Sequence, residues 1–214
     1  MNMRLAGRII AMIMAASLLV VPLTAGATDT PSKGGESNNQ EVTPKDIPEI
    51  PSTMTVIDGP RTIKNELPGA FLIYNHDRAY VSVAFTETSS SLSTRLALGK
   101  NSRPFVQVYT ITRAKSGAAY ASFDAAATAL GGQVIGGLNI FFGVLEDNEY
   151  KPLPADQKTP VTIKIKNYQP GATYYIARVS ANGVTEIIPI TPDEFGVAVI
   201  EANGGLSAYG LIKK

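Results

Sequence analysis

The chain has 214 residues, no cysteine and a formal net charge of +1. A charge this close to zero gives no electrostatic basis for binding nucleic acid or an anionic membrane surface. The lack of thiols excludes a cysteine nucleophile, thiolate metal sites, iron–sulfur clusters and disulfide bonds. A chain of this length can nevertheless bury a sufficient apolar core without covalent cross-links.

The N-terminus has the three parts of a secretory signal peptide. Arg4 and Arg8 precede an apolar run over 9–23, and the small residues Ala25-Gly26-Ala27 follow it. The run has 15 residues, which is shorter than the roughly 20 that a membrane-spanning helix needs. We therefore expect cleavage after Ala27, so that residues 1–27 are a signal peptide. Removing both arginines takes the 19 Lys and Arg residues to 17, against 18 Asp and Glu, a formal charge of −1.

Residues 28–53 are rich in Pro, Ser, Gly, Asn, Glu and Thr and contain few apolar side chains. Such a segment cannot bury enough apolar surface to offset its ordering entropy. The sequence therefore predicts a disordered polar linker over 28–53 and one folded module over 54–214.

The first half of this module contains short runs that alternate between apolar and polar residues, as strands do. The run "MTVID" predicts a strand, and "GAFLIYN" and "AYVSVAF" predict a hairpin that turns at "HDR". The run "PFVQVYTIT" predicts a strand that is partly buried on both sides. Its period places Val106 and Val108 on one face, and Phe105 and Tyr109 on the other.

Two segments lack the alternating pattern of strands. The polar run "TETSSSLSTR" is typical of either a loop or a frayed helix. The run "SFDAAATALGG" predicts the one good helix, with Ser122 as its N-cap and Gly131 as its C-terminal cap. We expect this helix to lie across an end or an open face of the sheets.

The second half predicts further strands with turn residues between them. "QVIGGLNIFFGVLED" predicts a long strand in which Gly136-Gly137 marks a bulge or a close backbone approach. Asn182-Gly183 predicts a two-residue hairpin turn, and Gly204-Gly205 turns the chain between the last two strands. The run "PVTIKIKNY" alternates cleanly, with Val161, Ile163 and Ile165 predicted inward and Thr162, Lys164 and Lys166 toward water.

Nine or ten short strands and one short helix predict an all-β, antiparallel sandwich. The C-terminal part also resembles the immunoglobulin-like, ZU5-like modules of secreted and cell-surface proteins of Gram-positive bacteria. The resemblance covers about 133–214 and depends on five short motifs. These are Pro160 to Thr162, Tyr175 to Arg178, Asn182-Gly183, Glu186 to Pro189 and Ser207 to Leu211, with Asn139 standing where the family usually has Asp. It implies an immunoglobulin-like fold and a structural or adhesive spacer without catalysis.

Catalytic motifs are missing from the sequence. A hydrolytic triad needs a base beside a nucleophile, and the chain has one histidine, His76, and no GxSxG turn. We expect His76 to lie in a hairpin turn and face water. The glycine-rich run "GGQVIGG" lacks the Lys-Ser/Thr of a phosphate loop, so we expect no cofactor.

Two further groups of residues are candidates for binding. Glu146, Asp147 and Glu149, with Asn148, have the oxygen ligands that Ca²⁺ prefers. The EF-hand spacing is absent, so a solvated turn is the favoured reading and Ca²⁺ the alternative. Tyr168, Tyr174 and Tyr175 could contact a sugar or a partner. Neighbours in a strand point to opposite faces, so packing within the sheets is favoured for them.

These patterns together predict a non-catalytic, secreted or extracellular domain with a structural or adhesive role. Association with the cell wall is an alternative location for such a domain. The partner would be a cell-wall polymer or another surface protein, with no nucleic acid and no membrane after signal cleavage. The alternative is a small extracellular module that binds a glycan or a peptide through loops at one end of the sandwich.

Overall fold

The computed structural model describes residues 55–58, 60–72 and 81–214. The predicted signal peptide over 1–27, the predicted linker over 28–53 and His76 all lie outside these residues.

Strands make up most of the regular structure, and only two helices are formed in the described part of the chain. In chain order the elements are β1 (Thr55–Asp58), β2 (Arg61–Lys64), β3 (Gly69–Leu72), β4 (Val81–Phe85), α1 (Ser89–Arg95), β5 (Ser102–Thr110), α2 (Gly117–Leu130), β6 (Gln133–Glu146), β7 (Glu149–Pro152), β8 (Lys158–Ile165), β9 (Tyr174–Ser180), β10 (Thr185–Ile190), β11 (Val197–Asn203) and β12 (Gly205–Lys213).

The strands form a seven-stranded sheet, a three-stranded sheet and a two-stranded ribbon. The large sheet has the order β10-β9-β12-β6-β5-β3, and β7 pairs with the C-terminal end of β6. Its pairs are antiparallel except for β3, which runs parallel to β5. The small sheet has the order β11-β8-β4 and is antiparallel. The ribbon is β1 with β2.

The main core lies between the large sheet and the small sheet. The inward side chains alternate along the strands, as a period of two requires. They include Val83, Phe85, Val106, Val108, Ile140, Phe142, Val161, Ile163, Ile165, Ile176, Ile200, Tyr209 and Leu211. The protein is therefore an all-β, sandwich-like fold.

Helix α2 covers part of the outer face of the large sheet. Phe123 and Tyr120 pack there with Ala177, Ala208 and Ile212. The helix can approach closely because the strands beneath it carry glycine. A Cβ added at Gly210 would lie 2.4 Å from the Phe123 ring, and one at Gly137 would lie 3.1 Å from it. The prediction that the Gly136-Gly137 pair marks a close approach is confirmed. A register shift between Leu211 and Ile212, where β12 runs beside this pair, adds the predicted irregularity.

The predicted strand β5 is confirmed, including the division of its faces. Val106 and Val108 lie in the main core. Phe105 packs on the other side with Tyr150, their ring centroids 4.7 Å apart, and Tyr109 is packed beneath α2.

The predicted hairpin between "GAFLIYN" and "AYVSVAF" is wrong. Strand β3 belongs to the large sheet and β4 to the small one. Phe71 and Phe85 therefore meet across the core, with ring centroids 6.4 Å apart. Alternation along a strand shows which side chains are buried, but it does not show which sheet the strand joins. The turn-forming residues in "HDR" therefore led to a wrong prediction of which strands pair.

The predicted start of the long helix is also wrong. Helix α2 begins at Gly117, and its N-cap is Ser116, which makes no side-chain capping hydrogen bond. Ser122 lies inside the helix, where its hydroxyl donates to the Ala118 carbonyl. Buried Tyr120 lies on the same stripe as Phe123, so packing extends the helix toward the N-terminus. The predicted end at Gly131 is confirmed, with φ at 67°.

Three smaller features differ from the sequence analysis or complete it. "TETSSSLSTR" contains a helix, α1, which Thr88 caps through a hydrogen bond from the Ser91 N–H. Thr162 is buried rather than solvated. It lies opposite Ala84, which packs against Val56 of β1. The β9–β10 turn has three residues, 181–183, since Ser180 N–H donates to the Val184 carbonyl.

The close contact between α2 and the sheet predicts the effect of a single added methyl group. We expect Gly210→Ala to lower the free energy of unfolding by about 1–3 kcal/mol, because the new Cβ overlaps the Phe123 ring and overpacks the layer. Urea denaturation followed by circular dichroism measures this change. Gly117→Ala is the matched control, because no atom lies within 4 Å of the position of its Cβ. A Gly210→Ala variant as stable as this control would contradict the packing described.

Candidate functional site

The predicted calcium ligands lie at the turn between β6 and β7. Glu146 is paired across it with Glu149, and Asp147 and Asn148 adopt positive φ. Glu146 accepts hydrogen bonds from the Lys151 ammonium and from the Ser102 hydroxyl. The hydrogen bond from Lys151 is the main reason why the pKa of Glu146 is lowered. No three carboxylate or imidazole groups of the described residues are gathered closely enough to hold a metal ion.

The three tyrosines pack within the fold. Tyr174 is fully buried, and its hydroxyl accepts a hydrogen bond from the Gln169 N–H at 3.0 Å. The Tyr168 and Tyr174 rings lie with centroids 5.6 Å apart. Tyr175 points to the opposite face and packs beside α2, as the strand period requires. These residues therefore do not form a common binding platform.

One charged side chain is buried between the two stacked sheets. Arg178 lies on the inward face of β9, where its side chain is 5% exposed. It shares this face with Tyr174 and Ile176, both members of the main core. Arginine stays protonated at any physiological pH, so the interior has to supply acceptors for a permanent charge.

Acceptors from both sheets bind the Arg178 guanidinium. Glu186 of β10, in the large sheet, pairs with Nη2. Nη1 donates to the Asn203 side-chain oxygen at 2.6 Å and to the Glu201 carbonyl at 3.2 Å, both on β11 of the small sheet. We call Arg178, Glu186, Glu201, Asn203 and Tyr209 the Arg178 clamp.

Tyr209 completes this cluster from β12. Its hydroxyl accepts a hydrogen bond from the Asn203 N–H at 3.1 Å. Burial raises the pKa of Tyr209, although the Asn203 N–H and the nearby Arg178 oppose this shift. Tyr209 therefore stays protonated at neutral pH. Within the described residues, Nε of Arg178 is buried without a hydrogen-bond partner.

The Arg178 clamp is suited to holding two sheets together rather than to moving protons. The guanidinium cannot act as a base, and both of its terminal nitrogens donate hydrogen bonds to fixed acceptors on β10 and β11. The sequence analysis missed this site, but a signal was present. In the alternating run from Tyr174, position 178 falls on the inward face, so a charged residue there predicts a buried ion pair.

A second polar cluster joins α1 to the small sheet. Arg95 donates from Nε and Nη2 to the Glu87 carboxylate and from Nη2 to the Lys158 carbonyl at 2.7 Å. Thr159 also donates to Glu87, at 3.3 Å. The hydrogen bond from Arg95 is the main reason why the pKa of Glu87 is lowered.

A shallow depression of about 500 Å³ lies along α1 and is open to solvent. Ser90, Ser91, Thr94 and Arg95 line it. The Glu87 carboxylate interacts with the Ser91 hydroxyl, but the Arg95 guanidinium binds Glu87 and lowers its pKa, which makes it a weak base. This lining supplies polar contacts but no group that would activate a nucleophile.

Neither α1 nor α2, the helices of the described residues, has the length and hydropathy needed to cross a membrane. No protein-family model, curated protein or solved structure matches the chain.

The Arg178 clamp predicts a large loss of stability when the buried charge is removed. We expect Arg178→Met to lower the free energy of unfolding by about 1–3 kcal/mol, because the Glu201 carbonyl and the Asn203 side-chain oxygen lose their donor, while the half-exposed Glu186 can be hydrated. Arg113→Met is the control, because Arg113 forms an exposed pair with Asp124 and such pairs contribute little. Urea denaturation of both variants makes the comparison. Equal effects would mean that the buried cluster does not hold the sheets together.

The Glu87–Arg95 pair predicts a pH dependence in acid. The pKa of folded Glu87 lies below its ordinary value near 4.5, so the folded state binds fewer protons than the unfolded chain. The resulting stabilisation is complete above about pH 4.5 and is lost as the pH falls through the folded pKa. We expect Glu87→Gln to be less stable than the wild type at pH 7 and to approach it below pH 4.

Denaturation at a series of pH values measures this convergence. Arg95→Gln should flatten the same part of the profile, and the double variant should add little to either single change. A Glu87→Gln difference that stays constant between pH 7 and pH 3 would show that the ion pair is not its cause.

Proposed function

We propose that this chain is a non-catalytic, secreted or cell-surface domain that serves as a structural or adhesive element. The proposal depends on one observation, namely what the buried charge of Arg178 binds. Arg178, the one charged side chain buried among the described residues, joins the two sheets instead of facing a cleft. Surface location rests on the N-terminal sequence, with its basic start, apolar run and small-residue end.

We propose further that the sandwich is immunoglobulin-like. Two stacked sheets, the β9–β10 hairpin and the passage from β11 in one sheet to β12 in the other support this idea. The seven-plus-three division of strands and the parallel β3–β5 pair depart from a simple antiparallel arrangement. The proposed relationship therefore concerns the C-terminal strands rather than the whole sheet order.

One observation favours the alternative, a module that binds a glycan or a peptide. Phe195 is exposed in the loop between β10 and β11. The next residue, Gly196, packs against the Tyr168 side chain, which would overlap any added Cβ. An exposed aromatic ring on a loop braced in this way could stack on a sugar or enter a partner's pocket.

Fractionation of a bacterial host that produces the full chain tests the proposed location. We expect the protein in the medium or at the cell surface, with residue 28 as its N-terminus by mass spectrometry. The control is a variant with Arg4 and Arg8 replaced by Glu, which should accumulate inside the cell, because a signal peptide needs its basic start. A wild-type protein that stays intracellular with its N-terminus intact would overturn the proposal.

The same preparation distinguishes the two roles. A purely structural element should stay in the supernatant when it is mixed with insoluble cell-wall polysaccharide, whereas a module that adheres to or binds the polymer should sediment with it. If it sediments, Phe195→Ala should abolish retention and Val199→Ala, an exposed change on another element, should not. Turnover in a hydrolase screen would contradict both readings.

A further inference from the structure

Two sheet edges lie next to each other along one side of the sandwich. Strand β11 ends the small sheet and β10 ends the large one. An unpaired edge strand exposes a row of N–H and C=O groups that another strand can bind. The hydrogen bonds of each edge therefore show whether it is closed or available.

The β11 edge is largely closed by the protein itself. Gly196 is bonded to Ile165 of β8, so the backbone groups of 197, 199, 201 and 203 point away from β8. Val197 exchanges hydrogen bonds with Asp193, its N–H donating to the side chain and its carbonyl accepting from the backbone N–H, both at 2.8 Å. Arg178 binds the Glu201 carbonyl, and Tyr209 accepts from the Asn203 N–H.

The β10 edge is open. The hydrogen bond from Ser180 N–H to the Val184 carbonyl fixes the pattern, so Thr185, Ile187 and Pro189 direct their backbone groups away from β9. Within the described residues these groups have no hydrogen-bond partner. Ile187 is 37% exposed, and Val184, just before the strand, is exposed too.

We propose that a second copy of this chain pairs with β10, antiparallel and centred on Ile187. The two Ile187 residues then exchange both of their hydrogen bonds, and each Thr185 N–H donates to the Pro189 carbonyl of the second copy. Pro189 lacks an N–H, but in this arrangement only its carbonyl takes part, as a hydrogen-bond acceptor. The pairing continues the large sheet from one molecule into the next and buries exposed Ile187 against its symmetry mate.

Charge selects this register over its nearest rival. Centring the pair on Glu186 would form as many hydrogen bonds but would place the two Glu186 side chains directly opposite each other, which is unfavourable. Centring on Ile187 places Glu186 opposite Ile188 of the second copy and leaves the Arg178–Glu186 pair intact. The contact involves one short strand from each molecule, so the dimer should be weak and depend on concentration.

Cysteine cross-linking tests the register directly, because the full chain has no cysteine of its own. In the proposed dimer the Ile187 Cα atoms are about 5.5 Å apart, within the range that a disulfide spans. We expect Ile187→Cys to form a covalent dimer under mild oxidation many times faster than Val199→Cys. Val199 is the matched control, because backbone groups of Val197 and Glu201 on either side of it are already bonded within the molecule, and it is more exposed, at 65%.

Sedimentation velocity of the cysteine-free chain gives a second, independent measurement. The average sedimentation coefficient should rise with concentration, and Ile187→Lys should remove this rise while Val199→Lys keeps it. Far-UV circular dichroism checks that each variant is folded. Equal cross-linking rates at 187 and 199, or a monomer at all concentrations, would overturn the proposal. The β10 edge would then be available to a strand from a different protein instead of a second copy. Neither result bears on the proposed structural role.

Discussion

Strand β6 is buried on both faces, and this requirement organises the layers around it. Its inward side chains, Ile140 and Phe142 among them, fill the core against the small sheet. Its outward face needs a separate cover, which α2 supplies over the N-terminal half. The helix fits because Gly137 and its neighbour Gly210 leave room for the Phe123 ring. Burial of apolar surface on two sides of one strand thus requires a third layer beside the two sheets.

The Arg178 clamp adds a directional element to this non-directional packing. Apolar contacts between two sheets tolerate small shifts, whereas a buried guanidinium with acceptors on both sheets tolerates few. The cost of burying the charge is offset only when those acceptors are in place. We infer that the clamp specifies how β11 lies against β9 and β10, and this bracing supports the structural role proposed above.

The two neighbouring edges show how the same fold can both prevent and permit association. Asp193, Arg178 and Tyr209 bind backbone groups of Val197, Glu201 and Asn203, which protects most of the β11 edge from other strands. The β10 edge has no such cover over Thr185 and Ile187. Pro189 limits the length of any added pairing. The proposed dimer would therefore be confined to one short segment, and because the two-fold pair uses both β10 edges, no further copy could be added through β10.

The amino-acid sequence by itself determined most of the strands, though not β2, and which of their faces are apolar. The two faces of β5, the buried strand β6, the inward Val161, Ile163 and Ile165, and the helix end at Gly131 all follow from local periodicity and backbone preference. Such features depend on residues close together in the chain, so a single sequence can reveal them.

Only the tertiary structure decided the partners of these strands. Strands β3 and β4 read as a hairpin but lie in different sheets, since Phe71 and Phe85 pack across the core. Tertiary packing of Tyr120 also makes α2 begin earlier than the sequence predicts. Strand β1 covers the side of β8 that contains Thr162, so this residue is buried. The acceptors of Arg178 come from residues up to 25 positions away, and no local pattern encodes such an encounter. Periodicity specifies a face, whereas pairing depends on which distant faces bury one another.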